Sequence, residues 1–280
     1  MDSTEWSDEN DILLIELIKN ATSFDMLPLF LNRDETFIRE RIKIIYNRIK
    51  SECKVKHADL KMYIGDNTSA LELIPIAITG KRVLILDFET TGLISDQKLF
   101  YQYTNNGLYD SCRVIEIGYY YSQNFNNDID TLEIHNYLRK PTDFTSIDPR
   151  AEQVHGISFE KITNEGIEFK TLLNNKLLYI LNNIDVLVSH NIRFDFYVLL
   201  NELYRLKQWK TIHRLLTLRK NNCVLCTCQA SGYKKLSRLY QDTFNIEPEN
   251  AHRASDDVKI LIEILLKKRY ESDKYRVIAI

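Results

Sequence analysis

No apolar run in the 280 residues reaches the length of a membrane span, so the sequence carries no transmembrane segment. The opening decapeptide, MDSTEWSDEN, is acidic and polar and lacks the basic and apolar blocks of a secretory signal. Cysteine is scarce and odd in number: the five are Cys53, Cys112, Cys223, Cys226 and Cys228. In a chain of this size that argues against a disulfide framework and for a reducing compartment. The expected location is therefore intracellular, in cytosol or nucleus, and not secreted. Neither sign of charge is in excess: 37 basic against 39 acidic side chains leave a net charge of −2. Any contact with phosphates must then come from a local patch rather than from bulk charge. There is no internal repeat and no low-complexity stretch. What is present is an ordinary globular balance, 44% hydrophobic and 27% charged, with room for one domain and a small second one.

Residues 1–50 read as three short helices. Ser7 is a good N-cap, and Asp8 and Glu9 suit the positive end of a helix dipole. Ile12, Leu13, Ile15, Leu17 and Ile18 follow as an apolar face. A second helix around Phe24–Phe30 ends near Asn32 and Arg33. Asp34 caps a third, with Phe37, Ile38, Ile42, Ile45 and Ile49 at helical spacing. Residues 51–80 lose this periodicity and read as a connector.

From Lys81 the pattern changes. Val83-Leu84-Ile85-Leu86 has the continuous apolar character of a strand buried on both faces. Strands are also predicted over Val114–Tyr121, Ile134–Leu138, Val186–Val188 and Cys223–Cys228. Helices are predicted over Leu172–Leu181, Phe196–Leu206, Tyr233–Phe244 and Ser255–Lys268, with 271–280 as a C-terminal tail. This order argues for an α/β fold with a mixed sheet flanked by helices.

Asp87 and Glu89 stand two apart at the end of the first buried strand. Strand side chains alternate, so the two carboxylates share a face. They repel unless a positive group lies between them, and a hard divalent cation is the economical one; the competing reading is two solvated acids. Asp195 follows another strand end in a first helical turn. His252 and Asp257 open the last helix, with Asp257 on the apolar side beside Leu261 and Ile264. An acid on such a face needs a partner. A sheet gathers ligands outside the carboxyl ends of its strands, where these segments converge.

With these residues in view, the stretch from Lys81 to Lys268 resembles the DEDDh (DnaQ-like) 3′→5′ exonucleases of the ribonuclease-H-like superfamily. LDFETTG resembles their first motif and holds Asp87 and Glu89. AEQVHGI, residues 151–157, resembles their A-x-x-V-H-G-I segment. SHNIRFD resembles the second catalytic motif and holds Asp195. AHRASDD resembles the third, His-x4-Asp, and holds His252 and Asp257. The tyrosine branch of the superfamily needs Tyr four positions before Asp257; Arg253 stands there, so the histidine branch fits. The resemblance implies two Mg²⁺ or Mn²⁺ ions on Asp87, Glu89, Asp195 and Asp257, with His252 as general base. A pair of cations about 3.5–4 Å apart serves both the attacking and the leaving oxygen of an in-line displacement. An imidazole titrates near neutral pH, which suits the base. The implied product is a nucleoside 5′-monophosphate, and the implied partners are single-stranded DNA or RNA 3′ ends, with no membrane.

Other residues carry open alternatives. Asp256 competes with Asp257 as ligand. Thr90, Thr91, His155 and Asn191 are candidate substrate contacts; His155 serves either substrate or the Gly156 loop, and His190 and Asn191 also fix the turn before Asp195. Cys223, Cys226 and Cys228 suggest either zinc or strand thiols, but no fourth ligand follows at zinc spacing. The segment 94–113, with Phe100, Tyr101, Tyr103 and Tyr109, reads as a surface hairpin or as an aromatic flap for base stacking. Residues 1–50 resemble a Myb/SANT-type module, through Trp6-Ser7-Asp8-Glu9, Phe24 and Arg33. Arg39, Arg41, Lys43, Arg48 and Lys50 lie where such a module reads DNA; ten acids against seven bases leave duplex DNA or a protein as its partner. Three functions follow from the sequence: a DNA exonuclease, an exoribonuclease of the same family, or a non-catalytic nucleic-acid-binding protein.

Overall fold

The computed structural model describes residues 6, 10, 11, 14, 27–42, 44, 70–125, 132–248 and 252–278, with side chains through Arg269 in the last segment. The chain divides into two units, Met1–Thr68 and Ser69–Ile280.

In the first unit Leu14, Leu27, Leu31 and Ile38 form a small core with Trp6 and Ile42 against it. Leu27–Leu31 is helical, and so are residues 35–42. The expected cap at Asp34 is present: its Oδ1 accepts from the Phe37 amide at 2.9 Å. Beneath this core lies a buried acid. Asp11 accepts from Trp6 Nε1 at 2.6 Å and from Arg41 Nε and Nη2 at 2.6 and 2.8 Å. Arg41 thus points into the module, contrary to its place in a DNA-facing set, because a buried carboxylate requires a cation. Arg39 pairs with Glu35 one turn away at 2.6 Å. The Ser7 cap, Phe24, Lys43, Arg48 and Lys50 lie outside the described residues.

The second unit is built on a five-stranded sheet in the order β3-β2-β1-β4-β5. Helix α1 (Ala70–Ile78) precedes strand β1 (Val83–Thr90). Helix α2 (Asn106–Tyr109), β2 (Val114–Ser122) and β3 (Ile134–Leu138) follow. Next come α3 (Pro149–His155) and α4 (Phe159–Glu165). Helices α5 (Phe169–Leu172) and α6 (Leu178–Asn183) are joined by a π turn over Leu173–Leu177. Strand β4 (Val186–Ser189), α7 (Ile192–Arg205), α8 (Trp209–Lys220) and β5 (Val224–Cys226) complete the sheet. Then α9 (Thr227–Ala230) and α10 (Leu236–Phe244) lead to the closing helix α11 (Ala254–Ile278). Strand β2 runs antiparallel to both β1 and β3, while β4 and β5 run parallel to β1. This is the mixed sheet flanked by helices that the order of elements in the sequence implies.

Alternation along β1 divides the core. Leu84, Leu86 and Phe88 face one layer with Phe196, Leu199 and Leu203 of α7. Val83 and Ile85 face the other, with Ile74 and Ile78 of α1 and Val258, Leu261 and Leu265 of α11. Asp87 and Glu89 continue that second parity, so β1 aims both acids toward the face that α11 covers. Residues 70–78 are therefore not connector. Leu71, Ile74 and Ile78 are buried against the sheet despite Pro75, which masked the helical pattern. Nor are residues 271–278 a tail, since α11 runs to Ile278.

The segment 94–113 is no surface hairpin. Ile94, Tyr103, Tyr109 and Cys112 are buried in the first layer. It is tied to α7 by Asn201 Nδ2 donating to the Tyr103 carbonyl at 2.7 Å and by Arg205 Nη2 donating to the Asn106 carbonyl at 2.8 Å. The same helix is anchored at Glu202, which is buried with Arg113 and Arg139; Arg113 Nε and Nη2 lie at 2.9 Å and Arg139 Nη1 at 2.6 Å. Burial alone would raise the Glu202 pKa, but Arg139 and Arg113 outweigh it and hold the carboxyl at about 2.

The Ser69 boundary gives one expectation. A protein beginning at Ser69 should fold and retain whatever activity the full chain has, whereas one beginning at Ala77 removes most of α1 from the core and should be poorly soluble. Circular dichroism and thermal melting of both truncations check this; a well-folded Ala77 protein would show that α1 is dispensable.

Candidate active site

Strand β1 delivers the first two acids half-buried. Its partner β2 sets Gly118 opposite Asp87 and Glu116 opposite Glu89, and a bulge follows between Glu89 and Thr90. A side chain at Gly118 would overlap the carbonyl of Ala254. The glycine therefore lets the start of α11 lie directly on β2 and brings Asp257 to the two β1 acids. Carboxylate oxygens of Asp87, Glu89 and Asp257 lie within 4.8 Å of one another. Of the adjacent acids, Asp257 and not Asp256 joins this group.

Asp195 sits in the first turn of α7, buried, with Oδ2 accepting from Ser189 Oγ at 2.6 Å. Among the charged neighbours of Asp87 it acts most strongly. All four acids are pushed up, first by burial. Asp87 lies well above the carboxylate range, with Asp195, Asp257 and Glu89 adding repulsion. Glu89 rises to about 8, with further repulsion from Asp257, Glu116 and Asp195 and some relief from Arg253. Asp195 rises to about 7, its hydrogen bond from Ser189 offsetting part of the burial. Asp257 also rises, and its contact with His252 opposes the shift. Three carboxylates this close, with Asp195 adding to their repulsion, need either protons or cations. Oxygen donors in such a group suit hard divalent ions such as Mg²⁺ or Mn²⁺.

His252 is exposed and precedes α11 at φ +77°, with its amide donating to Asp257 Oδ1 at 3.4 Å. The imidazole thus hangs on the same short segment as Asp257.

The remaining candidates separate. Thr90 and Thr91 are buried, and their hydroxyls donate to the carbonyls of Gly92 and Ser111. Thr91 also accepts from the Arg113 amide at 2.9 Å. These side chains hold the turn after β1. His155 is buried, accepts from the Ile157 amide through Nδ1 at 3.0 Å, and has its pKa lowered chiefly by burial. Gly156 caps α3 in the left-handed conformation beside it. His190 is clamped between Thr227 Oγ1 and the Lys234 carbonyl, both at 3.0 Å, and fixes the turn after β4. Asn191 is different: exposed, at φ +63°, it lines a cleft of about 280 Å³ with Leu93, Ile94, Gln97, Phe100, Arg193 and Phe194. Among the described residues no cysteine joins a metal-binding group, and Cys226 instead caps α9 by accepting from the Gln229 amide. Cys223, Cys226 and Cys228 are partly exposed rather than buried strand thiols, and only Cys226 of the three lies on β5.

Sequence reasoning missed Glu116. Strand periodicity marks it as inward-facing, but nothing in the sequence names its partners. It is fully buried and accepts from Arg253, Asn136 Nδ2 at 2.9 Å and the Ala254 amide at 3.0 Å.

Among the described residues no helix is long and apolar enough to cross a membrane. No curated protein matches the chain. Solved structures of Escherichia coli exonuclease I are similar at a TM-score of 0.49. A zinc-bound complex with single-stranded DNA is 17% identical over 68% of this chain and 41% of that one. A complex with a dT13 oligonucleotide is 16% identical over 71% and 43%. A product-bound form is 16% identical over 69% and 45%. This chain thus matches less than half the length of those proteins. The profile of the RNase T family, described as exonuclease, matches residues 84–265, a stretch that contains all four acids and His252. On that match, which spans more than half of the sequence, the chain belongs to this exonuclease family.

Proposed function

We propose that the chain is a 3′→5′ exonuclease that hydrolyses single-stranded nucleic-acid ends to nucleoside 5′-monophosphates, with DNA as its substrate. The observation that carries this reading is the group of carboxylate oxygens from Asp87, Glu89 and Asp257 within 4.8 Å, on the family's own segment of the chain. Asp87, Glu89, Asp195 and Asp257 would hold two Mg²⁺ or Mn²⁺ ions. When bound, such ions supply a strong nucleophile at neutral pH and neutralise charge on the attacking and leaving oxygens. His252 takes the proton of the attacking water as the phosphorus–oxygen bond to the leaving 3′ oxygen breaks. The cleft beside Asn191 seats the terminal nucleoside. Its apolar walls suit a base face, and the amides of Asn191 and Gln97 offer hydrogen bonds to a base edge.

For residues 1–50, duplex DNA and a protein both stand as partners in this reading; the pairing of Arg41 with buried Asp11 takes that one arginine out of a DNA-facing set. Matched single-stranded DNA and RNA oligonucleotides with Mn²⁺ test the substrate. Faster degradation of DNA is expected, and faster degradation of RNA would make the chain an exoribonuclease. Binding to the matched DNA with no cleavage in Mn²⁺ or Mg²⁺ would support the non-catalytic reading.

A further inference from the structure

The closing helix meets the sheet at one carboxylate. Glu116 lies on β2 directly opposite Glu89, on the face where α11 begins. Arg253 grips it through Nε, 3.1 Å from each oxygen, and through Nη2 to Oε1. The Ala254 amide, at the N-terminus of α11, donates to Oε2 at 3.0 Å, and Asn136 of β3 donates to Oε1 at 2.9 Å. Among the described residues, every hydrogen bond that residues 252–254 make to the sheet ends on Glu116.

The segment held this way is the one that carries the chemistry. His252 immediately precedes Arg253, and Asp257 accepts from the His252 amide one turn into the helix. Gly118, two residues along β2, provides the bare backbone on which Ala254 rests but cannot set its angle. Burial would raise the Glu116 pKa; the bonds from Arg253, Asn136 and Ala254 outweigh that and lower it. Arg253 in turn offsets part of the repulsion that Glu116 adds to Glu89.

We propose that Glu116 is a positioning residue for hydrolysis. Through Arg253 and the Ala254 amide it sets where His252 and Asp257 stand relative to Asp87 and Glu89. The proposal rests on the exonuclease reading above and adds a residue outside its four acids and histidine. A displacement of about 1 Å at a reacting group costs on the order of 10²-fold in rate.

The test is steady-state hydrolysis of a 5′-labelled single-stranded oligonucleotide in Mn²⁺ by the full chain and its Glu116→Ala, Glu116→Gln, Arg253→Ala and Arg253→Lys variants and the Glu116→Ala/Arg253→Ala double variant. Melting temperature and Mn²⁺ affinity, the latter by electron paramagnetic resonance, are measured on each. Glu116→Ala and Arg253→Ala should each lower kcat by about 10–10²-fold with KM within about twofold. The double variant should be no slower than the slower single one, since both remove one contact. Glu116→Gln, which keeps an acceptor for Arg253, should recover most of the loss. Mn²⁺ affinity should weaken in Glu116→Ala because Asp257 moves. Folded variants with wild-type kcat would overturn the proposal, as would a loss confined to KM or to melting temperature. If Glu116→Ala does not fold, the partly exposed Arg253 variants decide between the same outcomes. A wild-type chain inactive in Mn²⁺ would instead refute the exonuclease reading, and weakened Mn²⁺ binding by Glu116→Ala would still register the positioning effect.

Discussion

Asp87→Asn is expected to abolish metal-dependent hydrolysis and, in the metal-free protein, to raise stability at alkaline pH. The first effect follows from cation binding. Charge stabilisation by bound metal is worth several kcal/mol at the transition state, so losing a ligand at the centre of the group should cost about 10³-fold or more. The second follows from the acids themselves. Burial and mutual repulsion raise Asp87 well above its ordinary value, Glu89 to about 8 and Asp195 to about 7. A carboxyl whose folded pKa exceeds its unfolded one favours the fold while protonated, and that contribution is lost as pH rises through the folded value. The metal-free fold should therefore weaken between the ordinary carboxylate range and about pH 8. Removing the Asp87 charge relieves its neighbours, so the variant should weaken less. Melting temperatures in chelator across this window, beside rates in Mn²⁺, check both effects. An active Asp87→Asn protein, or a metal-free wild type that gains stability with rising pH, would contradict the site.

His252→Ala is expected to lower kcat by about 10²–10⁴-fold, the usual worth of a positioned general base. Mn²⁺ affinity should stay near wild type, because the four carboxylates remain. The exposure of His252 makes this variant a clean one, since no packed side chain is lost. Loss of Mn²⁺ binding in His252→Ala would make the imidazole a metal ligand and remove it from the role of base.

Much of this site was legible because its residues stand at chain positions with strong local signals. Asp87 and Glu89 end an apolar run whose period-2 parity puts them on one face, and β1 realises that parity. Asp257 shares a helical face with Leu261 and Ile264, and both prove buried. The sheet followed from short apolar runs, and all five expected strands appear, though the fifth stops at Cys226. Elements with weak periodicity were lost. Helices α3 and α4 are one or two turns long and rely on caps from Asp148 and Ser158. Helix α8 buries Thr211 with Ile212, Leu215 and Leu218, a stripe diluted by six basic or aromatic residues around it. In α1 the internal Pro75 reads as a breaker, yet packing against α11 overrides propensity.

Contacts distant in sequence were harder still. Glu202 meets Arg113 across 89 residues and Glu116 meets Arg253 across 137, and no local pattern encodes either pair. The threonine hydroxyls show the same limit: that they donate to the carbonyls of Gly92 and Ser111 is visible only once the turn is seen.

Hydrolysis from the 3′ end at the acid cluster is read from its products. The purified chain is incubated with a single-stranded oligonucleotide labelled at the 5′ end, in Mn²⁺ and in chelator, and released material is identified by mass. The expected result is a ladder that shortens one residue at a time, release of nucleoside 5′-monophosphates and silence in chelator. Release of the labelled 5′ residue first, internal cleavage, or activity that survives chelation would contradict it.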